Sequence, residues 1–249
     1  MLDDLRHRIR AIERPATFAE GTAALSLGVP EVDALLGGGF ARGALHEIAA
    51  LSEAHLPTAT GFVVGLGQAV CGATVWLAED MGIAESGALY GPGLHGGGIA
   101  PERLLTVTVA HRRDLLWAME EALRCRSVRL VVGEMRAGAL DAIAVRRLSL
   151  AAAETGALAL LLRAAPPDDA STAATRWIVR AVPASPSPAG GDEERAPEAS
   201  HFTAHLTRNR RGPLGSWLLT WSDDDGFRLA AHAQPLAAAA VDRPSRAVA

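Results

Sequence analysis

The chain has 249 residues, 49% of them hydrophobic and 21% charged, enough to bury one sizeable core. With Lys+Arg 24 against Asp+Glu 28 the net charge is −4, which excludes a globally basic nucleic-acid binder while leaving room for a local patch. All 24 of the Lys+Arg residues are arginines, so Schiff-base and pyridoxal chemistry, which need a lysine, drop out, and so does a working G-x-x-x-x-G-K-S/T phosphate loop.

At the start of the chain Leu2, Leu5, Ile9 and Ile12 recur at helical spacing on a charged segment, predicting a short amphipathic helix closed by Pro15. This segment has no signal-peptide core, and no apolar run reaches the roughly 18 residues of a membrane helix, so a cytoplasmic protein without a membrane partner is expected. A second short helix is predicted within residues 27–39, with Pro30 near its start and Gly37 to Gly39 after its stop. Then come a strand at 44–50, an irregular stretch at 51–57, a helix at 58–71, a strand at 73–78 and a Gly-rich loop at 87–98. Strands at 104–110, 128–132 and 157–162 alternate with helices at 113–125 and 140–154. Such alternation implies right-handed crossovers and an α/β fold whose largely parallel sheet has helices on both faces; the apolar strand cores RLVVG and LALLL fit burial on both sides.

The Pro/Ser/Gly/Glu-rich stretch 183–200 reads as a flexible loop. HFTAHLTRNR, SWLLTWS and FRLAAH, separated by the turn signals RGPLG and DDDG, predict a C-terminal antiparallel meander, and 234–249 reads as a mobile Ala/Pro/Arg-rich tail. The chain thus divides into a helix and linker at 1–20, a core at 21–233 and the tail. Cys71 and Cys125, with no C-x-x-C pair, are expected as buried thiols inside helices.

In a doubly wound fold the ligand site lies at the carboxyl ends of the strands, so the segment after ALHEIAA is where phosphate would bind. It reads Leu51, Ser52, Glu53, Ala54, His55, Leu56, Pro57, with no glycine nest; Glu53 brings negative charge and Pro57 removes an N–H donor. RLVVGE puts Gly133 where a magnesium-orienting Asp belongs and Glu134 one position later, read as a capping or solvated strand end in preference to a carboxylate pointing into the phosphate site. Glu79 and Asp80 end their strand where a water-activating base would stand, but without a phosphate cradle they read as ordinary strand-end polar residues. The histidines are scattered, the shared strand face of His201 and His205 reads as coincidence rather than a zinc site, and no G-x-S-x-G elbow appears, so neither metal nor nucleophilic catalysis is expected. The pairs Arg112/Arg113 and Arg146/Arg147 read as solvated helix faces. Arg208, Arg210 and Arg211 around Asn209 are different: three guanidiniums beside one turn repel one another and gain most from a phosphate or an acidic partner surface.

The order of these parts resembles a RecA-type core, most specifically in LSLGVPEVDALLGGGFARGALHEI, which follows the pattern G-x-x-x-x-D-x-L-x-x-G-G-x-x-x-G-x-x-x-E-I found just before the phosphate loop of such proteins. With the phosphate loop lost, RLVVGE weakened and R-N-R-R-G-P followed by two tryptophans, residues 2–230 are similar to the ImuA family. The resemblance implies a RecA-like (P-loop NTPase-type) three-layer fold with a degenerate phosphate loop and no cofactor. It implies a non-catalytic accessory role in SOS-induced translesion synthesis, nucleoid-associated on DNA damage. The implied partners are an ImuB-type Y-family protein, an error-prone DnaE-type polymerase and RecA. In the same comparison Glu79 falls where RecA has its water-activating glutamate. Arg208 and Arg210 flank Asn209 as two lysines flank an asparagine in RecA, where they reach a neighbouring protomer's nucleotide. Leu2, Leu5, Ile9 and Ile12 sit where RecA carries a helix that packs on the adjacent subunit, and the tail after Ala230 is a candidate ImuB-binding segment. Contact with single-stranded DNA through the arginine patches would be weak and salt-sensitive. Two other readings stand beside this one: a divergent RecA-type ATPase or recombination protein using arginine for the missing lysine, and a SulA-like cell-division inhibitor.

Overall fold

A computed structural model describes residues 24–136, 138, 140–168, 171–182, 200–222 and 224–230. The expected N-terminal helix with Leu2, Leu5, Ile9 and Ile12, nearly all of the loop 183–200 and the tail 234–249 lie outside these residues.

Leu25 and Phe40 exchange backbone hydrogen bonds of 2.8 Å in each direction, closing a loop around helix α1 (Pro30–Leu36). Asp33 closes the same loop from within. Its carboxylate accepts from the Leu27 and Gly28 amides at 2.7 and 3.1 Å and from the Ser26 hydroxyl at 2.7 Å, which accounts for the Gly and Asp spaced five apart in the sequence pattern. Gly39, at φ 123°, is fixed by close approach: a Cβ there would stand 2.2 Å from the Leu25 carbonyl oxygen.

The elements that follow are β1 (Ala44–Ala50), α2 (Leu56–Gln68), β2 (Ala73–Glu79), α3 (Asp80–Ser86), α4 (Gly91–Gly96), β3 (Leu104–Val109), α5 (Arg112–Arg124), β4 (Val128–Met135), α6 (Ala142–Thr155), β5 (Leu158–Arg163), β6 (Thr175–Ala181), β7 (Ser200–Asn209), β8 (Gly215–Ser222) and β9 (Gly226–Leu229). They form one nine-stranded sheet in the order β3-β2-β4-β5-β1-β6-β7-β8-β9. The pairings from β3 to β6 are parallel and those from β6 to β9 antiparallel. β1 lies in the middle, buried at every position, so its carboxyl end opens onto the centre of the molecule.

Side-chain alternation assigns the two faces. Leu158, Leu160 and Leu162 join Trp177, Phe62 and Val32 in a core under α1 and α2, while Ala159 and Leu161 join Leu115, Met119 and Leu148 in a second core under α5 and α6. Helix, sheet and helix make three layers.

Three expectations need correction. The stretch 87–98 is not all loop, because α4 forms within it, with Leu94 buried in the core. β6 was absent from the sequence reading, yet it joins the meander to the parallel sheet. Cys71 and Cys125 are exposed, since α2 and α5 stop before them and each sits in the turn leading into the next strand.

Candidate functional site

β1 ends at Ala50, and the segment that follows is a short 3-10 turn at Glu53–His55 running straight into α2. It is anchored to β6: the Leu51 amide donates to the Val179 carbonyl at 3.0 Å, and His55 Nδ1 accepts from the Ala181 amide at 3.2 Å. Pro57 falls in the first turn of α2, where an N–H has no intrahelical partner anyway. Leu51, Ser52, Glu53 and Ala54 are exposed and Leu56 is buried. No glycine lies in the segment, so it offers no flexible nest of amides to a phosphate.

A side chain lies across this position. Arg136, one residue past β4, places Nη2 3.3 Å from Glu53 Oε1 and 2.5 Å from Glu85 Oε2 of α3, and its Nη1 donates to Ser86 Oγ at 2.7 Å. Its backbone amide donates to Glu79 Oε2 at 3.5 Å, and the other oxygen of Glu79 lies 3.4 Å from Arg112 Nε of α5. One guanidinium therefore ties Glu53, in the segment after β1, to α3, and a second lies against the carboxylate at the end of β2. Glu79 is engaged on both oxygens, by the Arg136 backbone amide and by the Arg112 guanidinium, which is a different state from a carboxylate poised to activate water.

The β4 carboxylate needs a revised reading. Gly133 is inside the strand rather than beyond it, and its Cα faces α5, where a Cβ would stand 2.1 Å from Met119 Sδ. Glu134 points to the opposite face, toward α2, and accepts from Trp76 Nε1 at 3.2 Å. Burial raises its carboxyl above the usual range, opposed by the Trp76 hydrogen bond and the Arg136 charge. The acidic group on the phosphate-loop side of β4 is thus Glu134, not a residue lost at 133, and it is neither a cap nor a freely solvated strand end.

The arginine cluster sits elsewhere. Thr175 pairs with both His46 and Asn209, so the 209–214 turn lies at the amino ends of the parallel strands, a strand's length of about 20 Å from the phosphate segment. Asn209 is structural in this setting: its Nδ2 donates to the Leu35 and Pro213 carbonyls at 3.2 and 3.1 Å, and its Oδ1 accepts from the Arg211 amide at 3.0 Å. Arg210 Nη1 donates to the Thr172 carbonyl at 3.1 Å, the Arg211 charge bears on buried His46, and Arg208 is exposed beside Pro166 and Pro167. The three side chains thus meet three different surroundings. Of the pairs expected on solvated faces, Arg112 reaches Glu79, and Arg147 lies 2.5 Å from the buried carboxylate of Glu120.

The structure thus brings together residues 51–57, Glu79 and Glu134, and leaves Arg208 to Arg211 at the far end of the sheet. Sequence reasoning missed Arg136, Arg112 and Glu85 as parts of this end. The available signal was an arginine two residues after the strand's Glu134, in a chain whose segment 51–57 itself carries Glu53. Among the described residues no three His, Cys, Asp or Glu form a metal-binding group, and no helix is long and apolar enough to cross a membrane.

No protein-family model matches the chain. Over 215 residues it is 30% identical to Protein ImuA of Caulobacter vibrioides, in each of two strains, an alignment covering 80% of this chain and 83% of that protein. Among solved structures, the crystal structure of the RadB recombinase matches with a TM-score of 0.53 at 17% identity, over 82% of this chain and 98% of that one. At that identity the likeness is one of fold, and the fold is RecA-like.

Proposed function

The chain belongs to the ImuA family, and from that premise we propose that it is a RecA-fold accessory protein of induced mutagenesis that works by holding partners rather than by turning over nucleotide. The observation that carries the reading is the Arg136 guanidinium bound to Glu53 and Glu85 at the carboxyl end of the sheet, where a phosphate cradle would have to be. A triphosphate arriving there meets Glu53 in front of it and no amide nest beneath it, and Arg136 would have to give up both carboxylates to reach it.

The partners in this reading are an ImuB-type Y-family protein, an error-prone DnaE-type polymerase and RecA. Arg208 and Arg210 at the opposite end of the sheet are the groups that meet a nucleotide-loaded RecA protomer, while Leu2, Leu5, Ile9 and Ile12 make a protomer-like contact and the tail after Ala230 meets the ImuB-type protein. A protein that presents cations at one end and a filled site at the other can join the end of a filament without extending it.

The test is capture of purified ImuB-type protein and RecA by this chain, with and without ATP, beside an ATPase assay of the chain alone. The expected result is capture of the ImuB-type protein, RecA retained only when it holds nucleotide, and loss of RecA in a folded Arg208→Ala/Arg210→Ala variant. ATP turnover by the chain alone overturns the reading in favour of a divergent ATPase. Capture of FtsZ in place of the ImuB-type protein overturns it in favour of a cell-division inhibitor.

A further inference from the structure

The face of β6 and β7 turned away from the Trp177 and Phe202 core carries a polar track that the loop-end site does not use. α5 lies over β2 to β4 and α6 over β1 and β5, and this part of the sheet lies beyond them. Along β6 the alternate residues on that face are Arg176, Ile178 and Arg180, all half-buried: a cation, an aliphatic and a cation. Four residues of strand put the two arginines about 13 Å apart. The register sets Arg208 beside Arg176, His205 beside Ile178 and Thr203 beside Arg180.

At the Arg176 end a cavity of about 310 Å³ opens between Pro166, Pro167 and Arg208, with Arg176 and Ile178 in its wall. Arg176 is tied through Nε to the fully buried carboxylate of Glu47 at 2.5 Å, so the cation presented outward at this end is the exposed Arg208. At the other end, Arg180 Nε, His201 Nδ1 and Thr203 Oγ1 are all buried without a hydrogen-bond partner, and Thr203 is only 1% exposed. Buried polar atoms are nearly always paired, and three unpaired ones in a single cross-strand neighbourhood mark a place where an outside acceptor belongs. Arg180 Nε and the Thr203 hydroxyl are both able to donate to it.

We propose that this track binds an extended acidic segment of a partner protein with the pattern acidic–x–aliphatic–x–acidic. One carboxylate sits at Arg180 and Thr203, the aliphatic side chain lies on Ile178, and the second carboxylate enters the cavity at Arg208. An extended chain turns residues i, i+2 and i+4 to one side, which matches the spacing of the cation, aliphatic and cation on β6. A single-stranded nucleic acid fits less well because it calls for rings to stack on. The large rings, Trp177 of β6, Phe202 of β7 and Trp217 and Trp221 of β8, pack against the core on the opposite face, leaving the smaller rings of His201 and His205 on this one. The surface is separate from the phosphate segment but shares Arg208 with the contact assigned to RecA, so its test uses Arg180 and Thr203, which are not among the residues assigned to RecA.

The experiment is fluorescence anisotropy of the full chain with a labelled, end-capped Glu-Thr-Val-Thr-Glu peptide, its counterpart with Gln for both Glu, and a labelled oligo-dT. The acidic peptide is expected to bind at least tenfold tighter than the Gln peptide, and Arg180→Gln to lose about tenfold in a protein that still melts cooperatively. Thr203→Val supplies a readout of opposite sign: it removes an unpaired buried hydroxyl, so the melting temperature holds or rises while peptide affinity falls several-fold. A lowered melting temperature with unchanged affinity makes Thr203 merely structural and overturns the proposal. Equal affinity for the two peptides, or no binding by either, also overturns it. Binding of the oligonucleotide alone overturns it and reassigns the track to nucleic acid.

Discussion

His46 is a buried histidine held neutral by its neighbours. Its Nε2 lies 2.9 Å from the Ala41 carbonyl oxygen and its Nδ1 2.7 Å from Thr175 Oγ1, and that hydroxyl accepts from Trp177 Nε1 at 2.9 Å. The chain is consistent when Nε2–H donates to Ala41 and the Thr175 hydroxyl donates to Nδ1, which is the neutral ring. Burial, opposed by the Ala41 hydrogen bond and aided by the Arg211 charge, lowers the pKa to about 4. The unfolded chain, near the ordinary 6.5, takes up a proton first as pH falls, so stability from this group is complete above 6.5 and is lost progressively down to about pH 4. The loss is on the order of 3 kcal/mol. Denaturant unfolding at pH 7.5 and 4.5 should show it, and His46→Gln should lose less stability over that interval; equal losses would assign the acid sensitivity elsewhere. Gly133 sets a second residue-scale limit. Gly133→Ala drives a methyl into Met119 and should cost roughly 1–3 kcal/mol, part of which Met119→Ala in the same chain should restore. Gly133→Asp, the obvious attempt to rebuild a magnesium ligand, should disrupt the α5 packing rather than confer activity, as a loss of cooperative melting would show.

Among the elements, α3 and the phosphate segment depend on each other through Arg136. The ion pairs are partly solvated, so their removal should cost little global stability, about 1 kcal/mol or less. Arg136→Ala should instead speed amide exchange at 52–56 and 80–86 while β4 and β5 keep their protection; unchanged exchange at both segments would show that backbone packing alone holds them. This linkage was not legible in the sequence, because Arg136 lies 83 residues from Glu53 and 50 from Ser86, and no local pattern connects them. Strands with continuous apolar cores, β4 and β5 above all, were legible because burial on both faces leaves a one-dimensional signal. β6 was not: TRWIVRA carries Arg176 and Arg180, four residues apart on the face that lies outside the core, and its hydrophobic count is diluted accordingly. α4 was hidden by glycine and proline in GPGLHG, where Leu94 packing overrides poor helix propensity. That residues 51–57 hold no glycine and no lysine is legible from residue types alone, whereas the face on which Glu134 stands required the register of β4.

At the scale of the molecule, residues 51–57 and the Arg208–Arg211 cluster lie at opposite ends of one sheet, and Arg136 spans the first of these ends. A ligand that binds the folded state raises its melting temperature by mass action. Magnesium-ATP at millimolar concentration should leave the melting temperature of this chain unchanged within about 1 °C, whereas a site holding nucleotide at micromolar affinity would gain on the order of 4 kcal/mol. A clear upward shift would mean that Arg136 yields to phosphate and that the filled site is only a resting arrangement.

The central place of β1 has a kinetic side. Both of its neighbours come late in the chain: Ala44 pairs with Leu158, and His46 bonds Thr175 across 129 residues. Closing so long a loop must precede any return from those contacts, which makes this pairing slow relative to the local turns of α5 and α6. During synthesis a strand buried along its whole length leaves the ribosome before either partner exists, exposing ALHEIAA and an unpaired edge to other nascent chains. The architecture that puts the phosphate segment at the centre of the sheet therefore also sets a window of vulnerability to aggregation, which closes only once β5 and β6 have emerged.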